Sequence, residues 1–257
     1  MRVKRSFSRR RFIAAALGTV ATAVAAEGFI FEPQRLKITS VRLTEQPQHR
    51  FVAWSDFHFN GDVEYAEKIV ATINGLLPDF VCFLGDIVDK KKYHTGALQF
   101  ITKIRAPVYG VPGNHDSMSG SRIADYHKVF RATGGSWLVN QIVRPLGEYL
   151  ELCGSAERYV GFIPLTSSRL RVLLSHYPMT ANQTFGRTFA GVLAGHSHGG
   201  QVRLPGYGAL ALPRHVGRYE LGRFATPAGP LWVTAGVGTL HLPVRFNCPP
   251  ELLVVEI

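Results

Sequence analysis

Phe80-Val81-Cys82-Phe83-Leu84-Gly85-Asp86-Ile87-Val88-Asp89 is the stretch that decides the fold. Its first five residues form an apolar run too short for a helix, with no polar residue to face water, as in a strand buried on both faces. The run ends at Gly85-Asp86, a turn residue followed by a carboxylate. Immediately before it, Pro78-Asp79 stops a segment from Val63 to Leu77 in which Ala66, Ile69, Val70, Ile73 and Leu77 recur at helical spacing. Upstream of that helix, Phe51-Val52-Ala53-Trp54 is another apolar run, closed by Ser55-Asp56. Downstream, a helix is predicted over Ala97–Ile104 and a strand over Val108-Tyr109-Gly110-Val111. This β-α-β-α-β order calls for parallel strands with right-handed crossovers, and so for an α/β sheet.

The second half is richer in strands. Leu170–Leu174, Gly191–Leu193, Leu231–Ala235 and Leu252–Ile257 read as buried strands separated by Gly/Pro-rich turns. Two mixed β-sheets packed face to face with flanking helices, a four-layer α-β-β-α sandwich, accommodate both halves. A chain of 257 residues is long enough for one sizeable core. Residues 27–257 are expected to form that single domain, with residues 1–26 as a leader.

The formal charge of +11 invites a nucleic-acid reading, but its location argues otherwise. The leader holds Arg2, Lys4, Arg5, Arg9, Arg10 and Arg11 with no acidic residue, so the remainder is only mildly positive. Such a field suits phosphate-bearing substrates or an anionic membrane surface, and no specific nucleic acid binding is expected. Cys82, Cys153 and Cys248 show no CxxC spacing and form neither a disulfide framework nor a zinc knuckle pattern. Cys82 lies in an apolar run and is expected in the core.

The leader reads MRVKRSFSRRRFIAAALGTVATAVAA, a basic stretch followed by an apolar run from Phe12 to about Ala26. That run falls short of the roughly 20 residues of a comfortable membrane span. Ala23-Val24-Ala25 is a small-residue cleavage pattern. Ser8-Arg9-Arg10-Arg11-Phe12-Ile13 resembles the twin-arginine export signal, with Ala14 where a Lys is usual. The resemblance implies the twin-arginine export machinery as a partner and a destination outside the cytoplasm: the periplasm, or the outer face of the cytoplasmic membrane or cell wall. Cleavage of the leader and its retention as an anchor are both compatible with the pattern.

Each apolar strand ends directly in a polar cluster. These are Ser55-Asp56-Phe57-His58, Gly85-Asp86-Ile87-Val88-Asp89 and Gly113-Asn114-His115-Asp116, then Ser175-His176-Tyr177-Pro178 and Gly195-His196-Ser197-His198-Gly199-Gly200-Gln201. In α/β sheets, sites collect beyond the carboxyl ends of strands, so five such clusters converge. Carboxylate oxygen, amide oxygen and imidazole nitrogen suit Mn, Fe or Zn. Any one cluster has a plainer explanation in turn or helix-cap chemistry, and His94, His127, His215 and His241 are expected to be ordinary solvated or core histidines. Turn chemistry alone does not produce the ordered set. Asp89 fits a cap and a support for a ligand equally well.

The five clusters, in this order and at these intervals, resemble the calcineurin-like metallophosphoesterase superfamily over residues 50–257. The resemblance implies two divalent metal ions. Asp56, His58, Asp86 and His198 are expected to hold one, and Asp86, Asn114, His176 and His196 the other, with Asp86 bridging. His115 matches the histidine that contacts the phosphoryl or leaving-group oxygen, and Asp116 the residue that orients it. Direct attack on phosphorus by a hydroxide bridging the two metals is implied, with no covalent enzyme intermediate.

Gly195-His196-Ser197-His198-Gly199-Gly200-Gln201-Val202-Arg203-Leu204-Pro205, with Pro243-Val244-Arg245-Phe246 and Pro249-Pro250-Glu251, is similar to a bacterial branch that is exported or faces the membrane. That branch implies phosphodiester or pyrophosphate substrates at the cell envelope, lipid- or nucleotide-linked in some cases. The chain departs from it at Ala235-Gly236-Val237-Gly238, which lacks an Asn or Arg before the glycine, and in the short segment between Trp137 and Leu170. Both departures bear on substrate choice. A pyrophosphohydrolase acting on UDP-2,3-diacylglucosamine is the alternative enzyme. A non-catalytic metal-binding envelope protein is the alternative without turnover.

Overall fold

The computed structural model describes residues 9–257. Ser8, which opens the arginine motif, and Arg2, Lys4 and Arg5 lie outside the described residues. In chain order the helices are α1 (Arg9–Ala26), α2 (Val63–Gly75), α3 (His94–Thr102), α4 (Asn114–Met118) and α5 (Ile123–Ala132). The strands of the first half are β1 (Lys37–Arg42), β2 (Arg50–Trp54), β3 (Phe80–Phe83), β4 (Val108–Gly110), β5 (Ser136–Trp137), β6 (Gln141–Val143) and β7 (Leu150–Ser155). Those of the second are β8 (Leu170–Ser175), β9 (Gly191–Ala194), β10 (Arg203–Leu204), β11 (Gly208–Ala209), β12 (Gly222–Thr226), β13 (Gly229–Val233) and β14 (Glu251–Glu256).

Two six-stranded mixed sheets result, ordered β1-β14-β2-β3-β4-β5 and β12-β13-β9-β8-β7-β6, beside the small β10-β11 ribbon. In the first, β2, β3, β4 and β5 run parallel and β14 is antiparallel to β2. In the second, β7, β8, β9 and β13 run parallel, and β6 and β12 close the edges antiparallel.

Side chains alternate across a strand, and here both faces are covered, which accounts for the unbroken apolar runs. Phe51, Ala53, Phe80 and Cys82 meet Leu150, Leu152, Val172, Leu174 and Leu193 between the sheets. Val52, Trp54, Val81 and Phe83 face the other way and pack against Ala66, Ile69, Val70 and Ile73 of α2. Asp62 caps α2 by accepting from Tyr65 N at 3.0 Å, and Ala66, Ile69, Val70 and Ile73 of the predicted stripe are buried, whereas Leu77 lies past the helix end at Gly75 with 71% of its surface exposed. The outer face of the second sheet is covered more thinly, by a 3₁₀ turn at Pro178–Asn182 and by loops carrying Val160, Ile163 and Tyr219. The α-β-β-α layering is therefore present, with a short helix and loops as its fourth layer.

Helix α3 begins at His94, earlier than predicted, because a 3₁₀ turn at Lys91–Tyr93 leads into it. Helix α1 is exposed, and helical backbone continues past Ala26 through a π-type turn at Glu27–Phe31 and a 3₁₀ turn at Glu32–Gln34. The helical span Phe12–Gln34 is thus 23 residues long, longer than the apolar run expected from Phe12 to about Ala26. By length and apolar composition it is enough to cross a membrane, a test that a signal sequence also passes. The exit from α1 is tied to the body, since Arg245 N donates to Gly28 O at 2.9 Å and Asn247 N to Glu32 Oε2 at 2.8 Å.

Candidate metal centre

Parallel β2, β3 and β4 in one sheet and β8 and β9 in the other all present their carboxyl ends at one edge of the sandwich. The five polar clusters follow directly from these ends. Asp56, His58, Asp86, His176, His196 and His198 are all buried, and Asn114 and His115 are partly exposed at the start of α4. Five of them take left-handed backbone: Asp56 at φ 54°, His58 at 42°, Asp86 at 66°, His196 at 68° and His198 at 51°. Such conformations cost about 1–3 kcal/mol each and persist where the surroundings impose them, typically at functional sites. Glycines make room for this crowding. A Cβ at Gly113 would stand 2.1 Å from Asp86 Oδ1, and one at Gly195 2.7 Å from Asp56 Oδ2.

Two groups of ligand atoms converge, Asp56 with His58 and His198, and Asp86 with His176 and His196. Asp86 Oδ2 links them, 3.6 Å from His58 Nε2 and 3.2 Å from His176 Nε2. Asn114 Oδ1 lies 3.2 Å from the same His176 nitrogen, and Asp56 Oδ1 3.6 Å from His198 Nε2. All seven residues expected as ligands are thus placed around one spot.

The imidazole orientations test whether divalent cations fit. His176 Nδ1 lies 2.8 Å from Leu84 O and His196 Nε2 2.7 Å from Arg214 O, so those nitrogens carry the protons that donate. The opposite nitrogens, His176 Nε2 and His196 Nδ1, then face each other at 3.0 Å beside Asp86. On the other side His58 Nε2 and His198 Nε2 face each other at 3.1 Å, and the buried His198 Nδ1 has no hydrogen-bond partner among the described residues. At His176 and His196, whose other nitrogens both donate to carbonyls, two electron pairs meet and call for a positive charge between them. The donor set of oxygen and imidazole fits two divalent cations.

The electrostatics agree. Burial pushes the Asp56 carboxyl above its ordinary range. Burial also opposes the charge on Asp86, but His176, His58 and His115 outweigh it and hold this carboxyl well below the usual range. Against its own burial, His176 is raised to about 9, chiefly by Asp86. Burial and the nearby His176 lower His196 to about 4, and burial with His58 and Arg245 drives His198 well down. The proton favoured on His176 stands where a cation's charge would otherwise lie, while His196 and His198 are kept neutral, as imidazole ligands must be.

The two residues expected to be catalytic are placed differently. His115 stands at the rim, its ring 5.0 Å from that of His58 and its Nδ1 2.8 Å from Asp89 Oδ1. Asp116 does not hold it. Its carboxylate is turned inward and accepts from Asp86 N at 2.9 Å, Ile87 N at 2.9 Å and Gly113 N at 2.8 Å. Burial and Asp86 raise this carboxyl to about 6 in spite of those three donors. The orienting contact expected of Asp116 is made by Asp89 instead, because α4 turns adjacent residues to different faces. Asp89 Oδ1 also lies 2.5 Å from His58 Nδ1.

Arg245 carries no signal in the sequence beyond its place in Pro243–Phe246. It is fully buried and donates to the carbonyls of Ala235, Gly236, Gly238 and Cys248. The loop it holds backs Asp56, since Val237 N donates to Ser55 O at 3.0 Å and Gly238 N to Asp56 O at 2.8 Å.

The family model for calcineurin-like phosphoesterase matches residues 49–200, the span that carries all seven candidate ligands from Asp56 to His198. The metallophosphoesterase YkuE of Bacillus subtilis is 29% identical over 97% of this chain and 97% of its own length. The phosphodiesterase YaeI of Escherichia coli is 27% identical over 97% of this chain and 99% of its own. Among solved structures, TT1561 of Thermus thermophilus is similar at a TM-score of 0.49 and 12% identity, covering 74% of this chain and 90% of that one. With more than half of its length matched and a cluster geometry suited to a pair of divalent cations, the chain is a phosphoric ester hydrolase and belongs to the calcineurin-like phosphoesterase family.

Proposed function

We propose that this enzyme hydrolyses phosphodiester or pyrophosphate bonds at the cell envelope, using two divalent cations held by Asp56, His58, Asp86, Asn114, His176, His196 and His198. The observation that carries the reading is the pair of buried ligand clusters joined through Asp86. Bound there, the cations supply Lewis acidity and the acidified water for attack on phosphorus. The protein's own residues do the rest. Burial of the carboxylates and imidazoles excludes bulk water and strengthens their interactions with the phosphoryl group. His115, partly exposed beside the clusters, protonates or hydrogen-bonds the leaving oxygen. Asp89 fixes its ring, its Oδ1 standing 2.8 Å from His115 Nδ1. Asp116, by gathering three backbone N–H groups, holds the Gly85–Ile87 and Gly113 turns in the shape that aims Asp86.

Export by the twin-arginine route and contact with the membrane surface belong to the same proposal. The Arg9-Arg10-Arg11-Phe12 motif supports them, as do the exposed apolar helix α1 and the exposed Phe29, Ile30 and Phe31 that follow it. Replacing Arg9 and Arg10 by Lys should leave the protein in the cytoplasm on fractionation; unchanged export would reject the route.

The activity is tested with bis(4-nitrophenyl) phosphate and 4-nitrophenyl phosphate, on protein stripped by chelation and then restored with Mn, Fe or Zn. Metal-dependent turnover of the diester that Asp86→Ala abolishes is the expected result. A protein that binds no metal, or one that turns over only the monoester, would defeat the reading.

A further inference from the structure

A cavity of about 820 Å³ opens beside Asn114, between the α4–α5 segment and the turn at residues 155–160. One wall is apolar. Trp137 and Tyr126 stack at 4.8 Å to form its base, and Met118, Ile123 and Val139 project above them with 74%, 55% and 40% of their surface exposed. Apolar side chains left in water beside a candidate metal centre are surface that a substrate can cover.

The opposite rim is cationic and aromatic. The Arg158 guanidinium lies 5.7 Å over the Tyr177 ring, and its Nη1 is 3.3 Å from His215 Nδ1. Arg158 forms no ion pair among the described residues, although Glu157 beside it lines the same cavity. The Tyr177 ring in turn is 4.8 Å from the His196 ring and 5.1 Å from that of His176. An unpaired guanidinium therefore stands one aromatic ring away from the ligands that Asp86 gathers.

The turn that presents it is built for the purpose. Glu157 and Arg158 both take left-handed backbone, at φ 50° and 67°. Two such residues in succession are held by Ala156 N donating to Asn140 Oδ1 at 2.9 Å and by Ser155 Oγ donating to Tyr159 O at 2.8 Å. His215 is placed through its neighbour, because Arg214 O is the acceptor that orients His196.

We infer that this cavity binds the leaving side of the substrate, an apolar group bearing a second anionic group, phosphate or carboxylate, that Arg158 and His215 recognise. This deepens the phosphodiesterase reading and rests on it for the position of the reacting phosphoryl group. The guanidinium fork suits a planar or tetrahedral oxyanion, and its separation from the ligands by a single ring sets how far the second charge lies from phosphorus.

The test is equilibrium binding to the Mn-loaded full chain of three probes, phenylphosphonate, 4-carboxyphenylphosphonate and 1,4-phenylenediphosphonate. Metal content is measured in parallel. A charge-assisted pair predicts that the doubly anionic probes bind about tenfold tighter than phenylphosphonate. Arg158→Ala should collapse that ratio towards one at unchanged metal content, and Arg158→Lys should keep part of it. Which of the two doubly anionic probes gains more separates a carboxylate from a phosphate ligand. No preference in the wild type, or a preference that survives in Arg158→Ala, would overturn the inference. A protein that shows the Arg158-dependent preference but hydrolyses no diester would support the subsite and defeat the proposed activity.

Discussion

Asp89 Oδ1 lies 2.8 Å from Nδ1 of His115, so the rim histidine is oriented by a carboxylate from the β3 side rather than from its own helix. The same oxygen is 2.5 Å from Nδ1 of His58, which ties a candidate ligand and a candidate acid to one group. Those contacts hold the Asp89 carboxyl well below its ordinary range against the cost of its partial burial. Asp89→Asn keeps the shape and removes the charge. Turnover of a diester should fall about 10–100-fold, with a matching loss of affinity on the His58 side. His115→Ala should lower turnover at full metal content. Elemental analysis of both variants beside their kcat values separates the roles; an Asp89→Asn variant with unaltered turnover would remove this residue from the mechanism.

Gly113 offers a steric test of the Asp86 position. An added Cβ would stand 2.1 Å from Asp86 Oδ1 and 2.6 Å from its backbone nitrogen, both fixed groups. Gly113→Ala should therefore displace Asp86 and lower bound metal as well as turnover. Gly120 is the control, for it has φ 70° but no atom of the described residues within 4 Å of an added Cβ. Gly120→Ala should cost about 1–2 kcal/mol of stability through backbone strain alone and leave metal content intact. Equal metal loss in both variants would show that Gly113 acts through general stability.

Much of this site was legible because buried parallel strands appear as unbroken apolar runs, and each run here stops at a polar cluster. Phe80–Leu84 gave both a strand and the place where Asp86 leaves it. The order of the clusters gave their convergence, since parallel strands bring their carboxyl ends to one edge. What stayed hidden depends on direction. His115 and Asp116 are neighbours in sequence, yet a helical turn sends one to the rim and the other into backbone N–H groups. Lys37–Arg42 showed no period because only Val41 is fully buried in that edge strand. Arg245 was opaque because a buried arginine paired with carbonyls has no charged partner to seek in the sequence.

Metal removal should be visible in stability. Left-handed ligands and facing imidazole nitrogens are held together more favourably when cations occupy the space between them. A metal present at a hundred times its dissociation constant contributes about 2.7 kcal/mol. For a chain of this size that corresponds to a fall in Tm of about 5–10 °C on chelation. Thermal unfolding with and without chelator measures it, and restored Mn or Zn should return the loss. A Tm indifferent to both treatments would mean that the clusters bind no metal.

A second buried ion pair lies away from the clusters and governs behaviour in acid. Glu151 on β7 is 5% exposed and sits 3.1 Å from Nε of Arg171 on β8, with Arg144 and Arg169 at 3.3 Å and 3.4 Å. Arg171 in turn donates to Pro164 O at 2.9 Å and Thr166 O at 2.8 Å, so it fastens the 164–166 loop to the sheet. Burial opposes the Glu151 charge, but Arg171 and Arg144 outweigh it and lower this carboxyl below its ordinary value. A depressed carboxyl stabilises the fold fully above its unfolded value of about 4.3, and that contribution is lost as pH falls through the folded value below it. Glu151→Ala leaves Arg171 buried without its counter-charge and should cost about 3–5 kcal/mol at neutral pH. In denaturant titrations from pH 7 to pH 3, the wild type should approach the variant as Glu151 takes up its proton. A gap between them that stays constant across that range would show that packing, not charge, accounts for the loss.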